Sequence, residues 1–169
     1  MEDHRNKYVY EKKALTLAPK EIVENAICEE VYPDEYEDIK KLGQDMIKFC
    51  VENGGAGLAA PQVGVMKRMF VWNNASNQYQ IVINPFFTPD DAKKTNVVEG
   101  CLTYKDEHYF LKRYKSGNAR FDVLDPKDKT KFKRAFKKVS GERAFIWQHE
   151  LDHINGKTIA MIGKLFAKN

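Results

Sequence analysis

Trp147-Gln148-His149-Glu150-Leu151-Asp152-His153 spells H-E-x-x-H inside a run, residues 142–155, that reads as a helix ended by Gly156. Residues four apart on an α-helix lie one turn above each other on the same face. The two imidazoles can therefore grip one divalent metal ion, with Glu150 beside them to handle protons. Phe145, Ile146, His149 and His153 share a face, so the metal-binding face is expected to be the buried one as well. Such a site needs a third ligand from elsewhere in the chain.

Outward from this helix the texture is that of strands. Residues 67–72 and 79–83 are β-rich and joined by the turn-prone Asn73-Asn74-Ala75-Ser76-Asn77. Pro85 and Pro89 then mark an irregular loop. Further strands are expected at residues 109–114, 120–124 and 131–139, the last two flanking the turn Asp125-Pro126-Lys127-Asp128. Nearer the start, residues 19–30 read as a short helical segment opened by Pro19. A clearer helix follows, with Asp34 as its cap and Glu37 as the capping-box partner. Ile39, Leu42, Met46, Phe49 and Cys50 recur there at helical spacing until Asn53-Gly54-Gly55 stop it. Helices and strands are segregated rather than alternating. The fold class is α+β, with antiparallel β-sheets packed around a central C-terminal helix that carries H-E-x-x-H. No repeat or linker interrupts the chain, so residues 1–169 read as a single domain.

The 169 residues suffice for one core, and 43% hydrophobic with 31% charged residues is an ordinary globular composition. No apolar run is long enough to cross a bilayer, and the start, Met1 to Lys7, lacks the pattern of a secretory signal. A cytoplasmic location is expected. The net charge of +4 does not imply nucleic-acid binding by itself. Residues 127–138 hold seven Lys/Arg, which read as a solvated hairpin protecting a sheet edge. That run brings no platform of several aromatics, so no specific nucleic-acid site is expected. Three cysteines at wide spacing argue against a disulfide framework. Cys50 falls on an apolar helix face, and Cys28 in the short helical stretch is expected to pack as well.

Cys101 differs from both. It sits in the strand-like Asn96-Val97-Val98-Glu99-Gly100-Cys101-Leu102-Thr103, beside a glycine. A thiolate is stabilised by a metal ion. Two histidines and one cysteine leave a fourth tetrahedral position open, which marks a catalytic rather than a structural site. The small-residue segment Gly54-Gly55-Ala56-Gly57-Leu58-Ala59-Ala60-Pro61-Gln62 allows close backbone approach. It lacks the Gly-Lys-Ser/Thr ending of a phosphate-binding loop.

In chain order, Gly-x-Gly-Leu-Ala-Ala-x-Gln, Glu-Gly-Cys-Leu and Gln-His-Glu-x-Asp-His resemble the three signature motifs of the peptide deformylases. The motifs run from Gly55 to His153, more than half the chain, and residues 19–31 also resemble the family's N-terminal segment. The resemblance implies that Cys101, His149 and His153 bind one metal, usually Fe2+, with Zn2+, Ni2+ or Co2+ as other occupants. It implies that Glu150 is the catalytic acid and base, and that Gln62 and the Leu102 N–H stabilise an oxyanion. Substrate would lie along Gly57 and Gly100. Leu58, together with Phe145 and Ile146 from the helix face that carries His149, is expected to line an apolar pocket sized for methionine. Glu99 and Arg113 are expected to pair and brace the strand bearing Cys101. The implied partners are N-formylmethionyl nascent peptides, with at most a weak ribosome contact and no membrane.

Some positions depart from the family pattern. Thr103 stands where serine is usual. Tyr104-Lys105-Asp106 replaces a proline-containing turn. His108 falls where many members carry an arginine that contacts the substrate backbone. Beyond Gly156 only thirteen residues remain, too few for a long C-terminal helix, which resembles the short forms of phages and some other bacteria. Two other readings compete with the deformylase one. An ordinary H-E-x-x-H metalloprotease would take its third ligand downstream of the helix, but residues 156–169 hold no His, Asp or Glu. A deformylase-like binding protein without catalysis would have lost a ligand, Glu150 or Gln62, and all are present.

Overall fold

The computed structural model describes residues 5–168; residues 1–4, the start of the stretch read for a secretory signal, and residue 169 lie outside them. Helix α1 (Lys20–Glu24) opens after Pro19 but is much shorter than expected. Asn25 closes it, and Glu29 is drawn into an isolated parallel bridge with Lys67, so Cys28 lies outside any helix. Helix α2 (Tyr36–Glu52) buries Ile39, Leu42, Met46 and Cys50, with Phe49 half-buried on the same stripe. Its lead-in corrects the expected cap. A 3-10 turn over Pro33–Glu35 precedes it, and Glu35, not Glu37, reaches back to accept from the Tyr32 N–H at 2.9 Å. Asp34 is turned outward to Arg5, at 2.8 Å. The stop is as read: Gly54 takes φ 68°, and the Gly55 N–H donates to the Cys50 carbonyl at 2.8 Å.

Two antiparallel sheets follow. The larger has strands β1 (Gly57–Ala59), β2 (Met69–Ala75), β3 (Gln78–Pro89), β6 (Ser116–Leu124) and β7 (Phe132–Ser140), in that spatial order. The smaller orders β4 (Lys94–Cys101), β5 (Tyr104–Tyr114) and β8 (Lys164–Lys168). The prolines at 85 and 89 do not end β3. Its register with β6 shifts between Ile83 and Phe86, and Asn84 adopts φ 50°. This bulge takes Pro85, which has no N–H to give, out of the ladder. The Asn84 side chain then bonds both ways with Val31, accepting from its N–H at 2.9 Å and donating to its carbonyl at 2.8 Å.

Helix α3 (Glu142–Ile154) carries the H-E-x-x-H segment and packs on one face of the larger sheet. Trp147 is the anchor, edge-on to Phe70 and Trp72 with ring centroids 4.9 and 5.0 Å away. Helix α2 covers the opposite face of the same sheet, over β1, β2 and the first half of β3. Gln148 fastens α3 to the smaller sheet, accepting from the Tyr114 N–H at 3.0 Å and donating to its carbonyl at 2.9 Å. The helix is therefore central, as expected, but it is not the last. Thr158 caps a short helix α4 (Ile159–Ile162), and β8 then pairs with β5. Between α2 and the larger sheet lies one buried ion pair, Lys67 Nζ to Glu35 Oε2 at 2.9 Å. Its angles fall outside hydrogen-bond geometry, so the contact is chiefly coulombic.

Candidate metal centre and active site

Three chain segments converge on one cleft of about 1000 Å³. Helix α3 brings His149, Glu150 and His153; the end of β4 brings Cys101; β1 and the 3-10 turn after it (Ala60–Val63) bring Gly57 and Gln62. The ligand atoms of Cys101, His149 and His153 all lie within 4.8 Å of one another. Cys101 Sγ is 3.4 Å from His153 Nε2.

The orientation of His149 follows from its neighbours. Its Nδ1 lies 2.8 Å from Glu99 Oε1, and Arg113 grips the same carboxylate twice, at 3.0 Å through Nε and 2.9 Å through Nη2. Burial alone would raise the Glu99 pKa, but the hydrogen bonds from His149 and Arg113 bring it down to about 2. An ionised carboxylate only accepts, so His149 Nδ1 must donate, and Nε2 is the nitrogen turned to the site, holding a proton beside the thiolate and able to ligate a metal once that proton leaves. Arg113 also pairs with Asp152, which ties β5 to α3. The Glu99–Arg113 pair expected from the sequence is therefore present. Its reach to His149 and Asp152 was not foreseen, although Glu99 and Cys101, two apart on a strand, had to share a face.

Burial opposes the Cys101 thiolate, yet the attraction of His153 and hydrogen bonding with both histidines hold its pKa well below the ordinary thiol value. A thiolate and two imidazole nitrogens at this spacing suit a divalent first-row ion. His153 Nδ1 is buried without a hydrogen-bond partner among the described residues. Glu150 is almost fully buried, and burial pushes its carboxyl up to about 7 against the pull of His149 and His153. That is the range in which a carboxylate both takes and returns protons near neutral pH.

Gln62 is held at both ends. Its Oε1 accepts from the Ala59 N–H at 2.9 Å, which aims Nε2 at Thr103 Oγ1 (3.1 Å) and Cys101 Sγ (3.4 Å). Thr103 thus offers a hydroxyl to Gln62 from the position where the family pattern has serine. Leu102 and Thr103 form the two-residue turn between β4 and β5, so the Leu102 backbone stands at the cleft beside the thiolate. Asp106 takes φ 64° just beyond, in place of the proline turn. His108 lies across from Gly100 and lines the cleft, as do Gly57, Gly100, Phe145 and Ile146. Leu58 does not. Successive strand residues point to opposite faces, so with Gly57 on the cleft Leu58 is turned into the core beneath α2, fully buried.

A thiolate, two imidazoles and a buried carboxylate at the floor of a peptide-sized cleft define a metal-dependent hydrolase. The sequence matches the family model of polypeptide deformylase over residues 13–164, and the chain belongs to that family. A peptide deformylase of Wolbachia pipientis wMel is 35% identical over 130 residues, 70% of this chain and 69% of its own. One from Thermotoga maritima is 32% identical over 123 residues, 73% and 71% of the two chains. The crystal structure of a Thermotoga maritima peptide deformylase superposes with a TM-score of 0.78 at 28% identity, covering 89% of this chain and 97% of that one. A probable peptide deformylase from Synechococcus phage S-SSM7 gives 0.76 at 27%, over 86% and 97%. The α+β class with antiparallel sheets is shared with these structures, and the chain is a metal-dependent deformylase.

Proposed function

We propose that this chain acts as a single catalytic domain that removes the formyl group from N-formylmethionyl peptides. Cys101, His149 and His153 hold one divalent ion, Fe2+ in the working enzyme, with Zn2+, Ni2+ and Co2+ as substitutes. When bound, the ion supplies Lewis-acid polarisation of the formyl carbonyl and activation of the attacking water. Glu150 takes the proton of that water as its oxygen bonds to the formyl carbon. Gln62 Nε2 and the Leu102 N–H donate to the carbonyl oxygen as it gains charge. Glu150 then passes the proton to the departing amine as the C–N bond breaks, and formate and the free methionyl peptide leave. Gly57 and Gly100 let the peptide backbone lie close, while Phe145 and Ile146 offer the methionine side chain an apolar wall.

One observation carries this reading: the Cys101 thiolate and the two imidazoles are clustered with Gln62 Nε2 on the thiolate, and Glu150 lines the same cleft. The setting is the cytoplasm, at the first step of N-terminal methionine processing in protein biosynthesis. Among the described residues no helix is long and apolar enough to cross a membrane. Formate release from formyl-Met-Ala-Ser by protein loaded with Fe2+ or Ni2+ tests the proposal. Cleavage of internal peptide bonds, or no turnover with either ion, would overturn it.

A further inference from the structure

The face of the larger sheet that α2 shares with the N-terminal segment is covered only in part. Ile81, Ile83, Leu124 and Phe132 pack against the α2 core, but the same face continues past them in the open. There Phe86, Arg120 and Phe136 stand side by side on β3, β6 and β7, in direct register. Phe136 is 74% exposed and Phe86 49%, and the Arg120 guanidinium lies 4.3 Å over the Phe86 ring. Two strand spacings set the two rings about 10 Å apart. The platform of flat groups that residues 127–138 lack by themselves is thus completed by neighbours from β3 and β6.

The charge on this hairpin is lopsided. Residues 116–140 carry eight Lys/Arg against three Asp, a net +5, while the whole chain is +4, so all other residues together are net negative. Arg120, Lys127 and Lys138 make no ion pair among the described residues, and Lys138 sits two places from Phe136 on the same face. A groove of about 370 Å³ runs beside the platform, lined by Asn84, Asp122, Thr130, Lys131 and Arg134 among others. Exposed rings and a guanidinium in a row, flanked by unpaired cations, suit a partner that offers flat faces and a phosphate chain together.

We propose that this open face, Phe86–Arg120–Phe136 with the hairpin cations, binds single-stranded nucleic acid. Bases stack on the two rings and the guanidinium, and phosphates meet Lys127 and Lys138, with Lys131, which also pairs with Asp128, beside them. None of the three platform residues lines the deformylase cleft, so the two activities are separable.

The test is fluorescence anisotropy on the full-length, metal-loaded protein with labelled oligouridylate and oligothymidylate of about twelve nucleotides, beside a duplex of equal length. Single strands should bind in preference to duplex, more weakly as salt rises from about 50 to 200 mM. Phe136→Ala and Arg120→Ala should each weaken binding about 5- to 100-fold, while Phe136→Tyr keeps it. Lys127→Gln with Lys138→Gln should weaken it and flatten its salt dependence, and Lys112→Gln with Lys164→Gln, on another surface, should not. Formate release should be unchanged in all of these variants, which separates this result from the deformylase reading. No binding at low salt, equal binding of duplex, or binding indifferent to Phe136→Ala and Arg120→Ala would overturn the proposal. So would sedimentation showing that Phe136→Ala dissolves a dimer and leaves oligonucleotide binding intact.

Discussion

Gly57 leaves the space that the Glu150 carboxylate fills: a Cβ built on Gly57 would lie 2.6 Å from Glu150 Oε2. The glycine is required there by close approach and not by a positive φ. Gly57→Ala must push Glu150 out of place, so turnover should fall at least about tenfold with metal content preserved. Glu150→Gln should cost about 10²- to 10⁴-fold, the usual worth of a positioned acid–base group, again with metal retained. Cys101→Ala should lose metal and activity together. Metal analysis beside formate release checks all three, and equal metal loss in Glu150→Gln and Cys101→Ala would refute the division of roles.

Glu99 fixes the ring of His149 and neutralises Arg113, so it governs the metal site without touching it. Glu99→Gln should weaken metal affinity about 10- to 100-fold, as removal of such outer partners does. Competition with a chelator gives the number. An unchanged affinity would mean that packing alone orients His149.

Lys67 and Glu35 are both buried, and Glu35 also accepts from the Tyr8 N–H at 2.7 Å. Removing Glu35 leaves the buried Lys67 ammonium only the part-exposed Glu29 carboxylate, at 3.6 Å, so Glu35→Ala should lower unfolding free energy by up to about 3–5 kcal/mol. Urea denaturation measures it. A loss below about 1 kcal/mol would place the pair in the class of exposed ion pairs.

Burial pushes the Cys28 thiol up to about 11 and the Cys50 thiol up to about 12. Only the thiolate is nucleophilic, and its share rises tenfold per pH unit below the pKa. Both should resist iodoacetamide at pH 8 in the folded protein and react faster as pH rises, Cys28 before Cys50. Peptide mapping after timed labelling reads this directly. Rapid labelling of Cys50 at pH 8 would contradict the burial seen here.

The iron-loaded protein should lose activity faster in air than under argon. A thiolate beside a ferrous ion with an open position exposes both the metal and Cys101 to oxidation. Nickel-loaded protein should decay equally slowly in either atmosphere. Superimposable decay curves for the iron form would argue against iron as the working metal.

The reactive elements were more legible than the connections between them. His149 and His153 announce themselves because helical spacing is local, and Cys101, Glu150 and Gln62 sit in short contiguous motifs. Leu58 was misplaced because the three-residue strand β1 is hidden in a run of small residues, which gives no alternation to read. The continuation of β3 through Pro85 depends on a bulge, and that in turn depends on a side chain contacting Val31, 53 residues earlier. The end of α1 and the start of β8 are likewise decided by partners far along the chain, Lys67 and β5. Contacts of this kind leave no periodic trace in the sequence.

Asn84 has one further consequence. Its amide gives Val31 the donor and acceptor that an adjacent strand would give, but at a single residue instead of along a ladder. A ladder could slip by two and still be paired; a one-residue clasp cannot slip at all without stranding buried polar atoms on both sides. The chain leading into α2 is therefore indexed like a key in a lock with one ward. Val31, and neither Glu30 nor Tyr32, is the side chain delivered to the interior, and the phase of every later residue of that helix is set from there.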